Sequence, residues 1–187
     1  MAKNNFPLVM KSLAAGTALA CAVFTVLRFC IDVPWIFPTA ITFGTTAYHL
    51  LMRLAVGYLV PKVTNYAFDY RARWFRPKTW ELGFYRKINI RGWKGKIPTY
   101  APSQFSLTEN TLYRVIQNTC GAEIVHEIIM VLSFLPLLTV PVFGAWQVFL
   151  ITSICAALYD SIFVMAQRYN RPRLVRIYEK QEAKAHE

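Results

Sequence analysis

The chain has 187 residues, of which 55% are hydrophobic and only 17% charged, with 21 basic against 10 acidic side chains and a net charge of +11. A soluble domain of this size is rarely so apolar, and 13 Phe, 10 Tyr and 5 Trp exclude a disordered tail. No fixed-period repetition supports a solenoid. A chain both apolar and basic is expected to segregate the two characters into hydrophobic runs and basic connectors, the pattern of an integral membrane protein.

The first apolar run, Ser12 to Ile31, follows Lys3 and Lys11 and is interrupted only by Arg28. Its Ala18-Leu-Ala-Cys21 string resembles a lipoprotein cleavage site, but the run continues past it and reads better as a span. A second run, Val33 to Val60, has Pro34 and Pro38 at its start, where a helix tolerates them, and Pro61 is expected to close it. The stretch from Val63 to Phe75 places Tyr66, Ala67, Tyr70 and Trp74 against Asp69, Arg71 and Arg73, an interfacial-helix pattern. Ile124 to Phe143 and Ala145 to Ala166 are two more apolar runs, joined by a Pro-Val-Phe-Gly turn that makes a helical hairpin.

The reading is a single all-α membrane domain over residues 1–187. Its spans fall near 12–31, 38–60, 122–143 and 145–166, with a middle loop at 61–118 and a tail at 167–187. Eleven basic residues lie in the middle loop and six follow Ala166, while the connectors Asp32 to Trp35 and Pro141 to Gly144 contain none. The positive-inside rule then puts both termini and the middle loop on the cytoplasmic side of a bacterial inner membrane. Cys21, Cys30, Cys120 and Cys155 form no C-x-x-C pair and are expected to be small buried hydrophobes rather than ligands.

Ionisable groups inside spans are costly and usually paired or functional. His49 and Arg53 stand one turn apart on the second span, and Asp160 lies at a similar depth in the last, so Arg53 and Asp160 are expected to form an ion pair. Either this is a bundle-internal salt bridge with His49 beside it, or the three floor a substrate cavity. At the start of the third span, Glu123 and His126 share a helical face. One Glu-x-x-His in a chain with 3 histidines does not make a di-iron site, and no metal is expected. The pair suits acid–base chemistry, with His126 as general base and Glu123 fixing its tautomer. Across the hairpin lies Gln167-Arg-Tyr-Asn-Arg-Pro-Arg173, whose three arginines suit a phosphate or a developing oxyanion, or else serve as stop-transfer anchors.

These strings, QRYNRPR at 167–173, E-x-x-H at 123–126, W-E-x-G-x-Y at 80–85 and W-K-x-K-x-P at 93–98, resemble the glycosyl-4,4'-diaponeurosporenoate acyltransferase family of staphyloxanthin-type carotenoid synthesis. The resemblance covers Trp80 to Arg176. It implies a membrane-bound acyltransferase that esterifies a sugar hydroxyl of a glycolipid, and it assigns no role to any residue.

The combined expectation is acyl transfer from acyl-CoA or acyl-carrier protein, a donor substrate rather than a cofactor, to a hydroxyl of a lipid-linked sugar or similar lipid. His126 and Glu123 are the expected catalytic pair. Arg168, Arg171 and Arg173 with Lys94 and Lys96 would hold donor phosphate or the oxyanion, and Tyr169, Asn170, Trp93 and Glu81 would complete the binding surface. Membrane lipids, not nucleic acid, are the expected surroundings. A small helical methyltransferase or reductase, or a non-catalytic lipid-binding scaffold, fits the same pattern of polar motifs at span ends.

Overall fold

The computed structural model describes residues 5–185 and is helical, with no strand among them. Its elements are α1 (Phe6–Cys30), α2 (Ile36–Thr64), α3 (Thr79–Lys87), α4 (Ile90–Trp93), α5 (Leu112–Leu132), α6 (Val140–Phe143) and α7 (Trp146–Ala185), with short 3-10 turns between them. Three helical stretches, Phe6–Cys30, Leu112–Phe143 and Trp146–Ala185, are long and apolar enough to cross a membrane. Their apolar surface faces largely outward, and in the first only 6% of the apolar window is buried. α2 is long enough at 29 residues but is diluted by His49, Arg53 and a run of threonines. Those hydroxyls are satisfied within the helix: Thr39, Thr42, Thr45 and Thr46 each donate to the carbonyl four residues back.

The chain divides into two compact units, and both α5 and α7 contribute to each. Unit 1 comprises residues up to Tyr58 and Ile128–Asp160. Its interior uses small side chains, Ala14, Ala40, Ala47 and Ala156, which let helices approach closely, with Ile36, Met52, Val56, Ile129 and Phe149 filling between them. Phe24 stacks on Phe43 at 5.6 Å between α1 and α2. Unit 2 comprises Leu59–Glu127 and Ser161–Glu187. Here the interior is far more polar: Gln117, Asn118, Thr119, Glu123, Glu81 and Arg171 are all buried.

Several boundaries depart from the sequence reading. Pro61 and Pro172 lie inside α2 and α7, so neither ends its helix, and the segment expected as a tail is helical to Ala185. Each proline removes one N–H, yet the helix continues past it. The apolar run 122–143 is not one helix. α5 starts at Leu112, stops at Leu132, and gives way to a 3-10 turn carrying Pro136 and then to α6, where Pro141 sits in the first turn. The Tyr48 hydroxyl donates to the helix-end carbonyl of Leu132 at 2.8 Å. Gly144, at φ 68°, takes the left-handed conformation that reverses the chain into α7.

The interfacial helix expected over Val63 to Phe75 does not form. Asn65 and Tyr66 both adopt positive φ and end α2, and a loop follows. That loop is fixed from the side: the Gln117 amide accepts from Phe68 N at 2.8 Å and donates to Phe68 O at 2.9 Å. A Cβ on Gly121 would collide with the Tyr66 ring, so this close approach requires glycine on α5. Of the cysteines, Cys120 is buried, Cys21 is partly so, and Cys30 and Cys155 are exposed on outward apolar faces.

Candidate functional site

In unit 2, residues of three of the four sequence strings, Glu81, Glu123, Arg168 and Arg171, meet around one buried carboxylate. Glu123 on α5 is fully buried, and its two oxygens accept from different arginines of α7: Oε1 from Arg168 Nη1 at 2.7 Å, Oε2 from Arg171 Nη2. Arg168 is gripped from its other side by Glu81 of α3, with Nε to Oε2 at 2.9 Å and Nη2 to Oε1 at 3.1 Å. It also donates to the carbonyls of Trp74 and Arg76, so every N–H of its guanidinium has a protein acceptor. Arg171, 1% exposed, donates to the Thr119 hydroxyl and carbonyl and to Phe75 O. Two carboxylates and two guanidinia thus form a neutral, hydrogen-bonded knot tying α3, α5, α7 and the 73–76 turn.

Tyr85 completes the knot by donating to Glu81 Oε2 at 3.2 Å. Burial, reinforced by the neighbouring Glu81 carboxylate, pushes its phenol up to about 12. The W-E-x-G-x-Y string is explained by this geometry: Glu81 and Tyr85 are one turn apart on α3 and face the same arginine.

A groove of about 910 Å³ lies on the outside of the same unit, lined by Arg91, Lys94, Arg173 and Arg176 among Tyr169, Asn170, Leu82 and Ile177. Lys94 donates to Asn170 Oδ1 and sits 4.9 Å from the centre of the Tyr169 ring, a cation–π contact. Partial burial first, then Arg173 and Arg91, pushes its ammonium below the usual lysine value. Four cations with no acid in the lining make an anion-attracting surface that also carries the apolar Leu82 and Ile177.

The expected site residues therefore sort into three places. Glu81, Glu123, Arg168 and Arg171 come together, but on one another. Lys94, Tyr169, Asn170 and Arg173 come together in the groove. Lys96 is exposed and does not line the groove, and Trp93 donates its indole N–H to Ile88 O at 2.9 Å, bracing the turn before α4. His126 is half-buried with its ring stacked on Phe163, centroids 4.4 Å apart and planes 8° apart, and it is not among the groove's lining residues. The neighbouring Glu127 accepts from the Trp74 indole at 3.0 Å.

Sequence reasoning missed Arg91 and Arg176. For Arg176 the signal is present: Asn170, Arg173, Arg176 and Ile177 follow helical spacing once α7 is allowed to continue through Pro172. The remaining expected polar residues belong to unit 1. Arg53 pairs with Asp160, Nη2 to Oδ2 at 2.5 Å, and donates to the carbonyls of His49 and Ala156, while His49 is buried one turn away.

Membrane-length helices, an internal ion-pair knot and a basic groove define the class: an apolar helical protein with one polar, positively charged unit. Residues 71–180, more than half of the chain, match the family glycosyl-4,4'-diaponeurosporenoate acyltransferase, and the chain belongs to that family. It is an acyltransferase. The matched segment extends the sequence resemblance at both ends and contains every member of the knot and the groove. No curated protein and no solved structure matches the chain.

Proposed function

We propose that the chain is a membrane-embedded O-acyltransferase that moves a fatty acyl group from a CoA or carrier-protein thioester to a hydroxyl of a glycolipid or related lipid, with a glycosylated carotenoid acid as the acceptor its family name suggests. It would cross the bacterial cytoplasmic membrane four times, with α2 as the fourth span and with both termini and unit 2 on the cytoplasmic side. The observation that carries the reading is the groove. Arg91, Lys94, Arg173 and Arg176 suit the phosphates of a phosphopantetheine-linked donor, and Leu82 and Ile177 suit the start of its apolar portion.

In this mechanism His126, held flat by Phe163, takes the acceptor proton as the hydroxyl oxygen attacks the thioester carbonyl. The tetrahedral oxyanion collapses, the C–S bond breaks, and the imidazolium returns the proton to the departing thiolate. Both oxygens of Glu123 accept from arginines of α7. It is a positioning residue, acting through Arg168 and Arg171 to fix α7 and so the register of Arg173 and Arg176.

The test is lipid mass spectrometry of cells with and without the gene, seeking a species that gains one acyl mass, joined to donor protection of the purified chain against heat. Arg173→Ala should raise the donor KM about ten-fold, the worth of one charge-assisted contact, with kcat little changed. Donor affinity should fall on the alkaline side earlier than an ordinary lysine predicts, because Lys94 loses its proton from a depressed starting value. Acyl transfer that ignores Lys94, Arg173 and Arg176 would remove the groove from the reaction.

A further inference from the structure

Unit 2 has a second groove, of about 330 Å³, beside the larger one. Pro172 and Arg176 of α7 line both. At about 100° per residue, Tyr169, Arg173 and Ile177 fall on one side of the Pro172–Arg176 row, and Arg171, Val175 and Glu179 fall on the other. The first three line the larger groove and the second three the smaller, so the row is a ridge with a groove along each flank. A helix with its side chains is only about 10–12 Å across, and one extended small molecule can therefore lie in both grooves.

The second groove is built differently from the first. Tyr70, Phe75, Pro77 and Val175 give it ring and apolar walls, Arg71, Arg76 and Arg176 give it charge, and Glu179 is the one carboxylate in its lining. Arg171, which also reaches it, is held in the knot by Glu123 and Thr119. The Arg71 guanidinium lies 5.4 Å from the centre of the Tyr70 ring and 3.6 Å from Glu179 Oε1. Both members of that ion pair are exposed, so the pair is weak and yields readily to a ligand. Neither contact engages Arg76 or Arg176, which are exposed at the groove.

These groups specify a ligand chemistry. A tyrosine ring and guanidinium planes stack on a flat base, arginine forks take a phosphate, and a carboxylate accepts from an exocyclic amine. A phosphorylated adenosine offers all three. The larger groove, across the ridge, suits the phosphates at the head of a pantetheine arm. Coenzyme A joins the two sets, because its diphosphate links the pantetheine arm to an adenosine bearing a 3′-phosphate. A carrier protein presents the arm and one phosphate on a serine, without a nucleotide, and has nothing to place in the second groove.

We propose that the second groove is the adenosine 3′-phosphate subsite of the donor, and that the donor is acyl-coenzyme A rather than an acyl-carrier protein. Arg76 holds the 3′-phosphate, Arg176 on the ridge meets the diphosphate, and the base lies against Tyr70 with its amino group toward Glu179. The subsite rests on the transferase reading for its purpose and narrows the donor within it.

The test is calorimetric titration of the full chain in phosphatidylcholine nanodiscs with CoA and with 3′-dephospho-CoA, which needs neither acceptor nor turnover. Wild type should bind CoA at least about ten-fold more tightly than 3′-dephospho-CoA. Arg76→Ala, which keeps the backbone carbonyl that Arg168 uses, should abolish this preference by weakening CoA alone. Arg173→Ala, in the larger groove, should weaken both ligands by the same factor and keep the preference. Equal wild-type affinities overturn the subsite, as does a preference that survives Arg76→Ala. A cellular lipid that gains an acyl mass, in a chain whose CoA binding ignores the 3′-phosphate, removes the subsite and leaves the transferase reading in place. A 3′-phosphate preference that depends on Arg76, in a chain whose gene adds no acyl mass to any lipid, removes the transferase reading and keeps the nucleotide site.

Discussion

The two units handle buried charge in opposite ways. In unit 2, Glu81, Glu123, Arg168 and Arg171 satisfy one another and the backbone until no N–H of Arg168 is left over. In unit 1, the Arg53–Asp160 pair is neutralised but sits beside imidazole and hydroxyl groups without partners. A saturated network holds structure and leaves nothing for a ligand. An unsaturated one is costly alone and gains from a ligand. The motif arginines divide accordingly: Arg168 and Arg171 are spent on carboxylates and carbonyls, while Arg173 lines the open groove.

The largest expected effect tests the saturated side. Glu123→Gln leaves two buried guanidinia undercompensated and should destabilise the chain by about 3–5 kcal/mol, read as loss of folded protein in a thermal or denaturant series. If the variant folds normally and loses only turnover, Glu123 is a chemical group and not the centre of a structural knot. Asp160→Asn should cost less, about 3 kcal/mol, because Arg53 keeps the carbonyls of His49 and Ala156; apolar residues at both positions should recover most of it.

His126→Ala should lower kcat by about 100-fold or more while moving Tm little, which separates the base from the knot one turn away. A destabilisation equal to that of Glu123→Gln would make the imidazole part of the knot. Gly121→Ala should cost about 1–3 kcal/mol by driving the Tyr66 ring from α5, measurable as a Tm shift. Smallest is Tyr85→Phe, about 1 kcal/mol for one hydrogen bond. Its wild-type counterpart has a pH signature. The folded phenol titrates near 12 against 10.0 when unperturbed, so its stabilising contribution is full below pH 10 and is lost as pH rises toward 12. The Phe variant should lack that alkaline loss.

Much of the helical architecture was legible because hydrophobic runs of membrane length are read one residue at a time. The Arg53–Asp160 encounter was also legible, since two costly charges at equal depth have few other partners. The Glu123–His126 spacing left the partners of the carboxylate undecided. A shared helical face shows that two side chains can meet, but two arginines forty-five and forty-eight positions away compete for the carboxylate and hold it. The positive-φ break at Asn65 and Tyr66 was hidden for the same reason: a helical pattern over 63–75 loses to Gln117 and Gly121, which fix the loop from another helix.

The sequence by itself determined the helical class, the long apolar segments, the one-sided distribution of basic charge and the kinship carried by the four strings. These depend on local hydropathy, spacing and composition, which no distant contact changes. Only the tertiary structure decided which arginines are saturated and which face a groove, that α7 continues through Pro172 to place Arg176, and that His49 and Ser153 are left without partners. Those outcomes depend on who reaches whom across helices, and a hydrogen bond is assigned by a distance of a few tenths of an ångström that no one-dimensional pattern encodes.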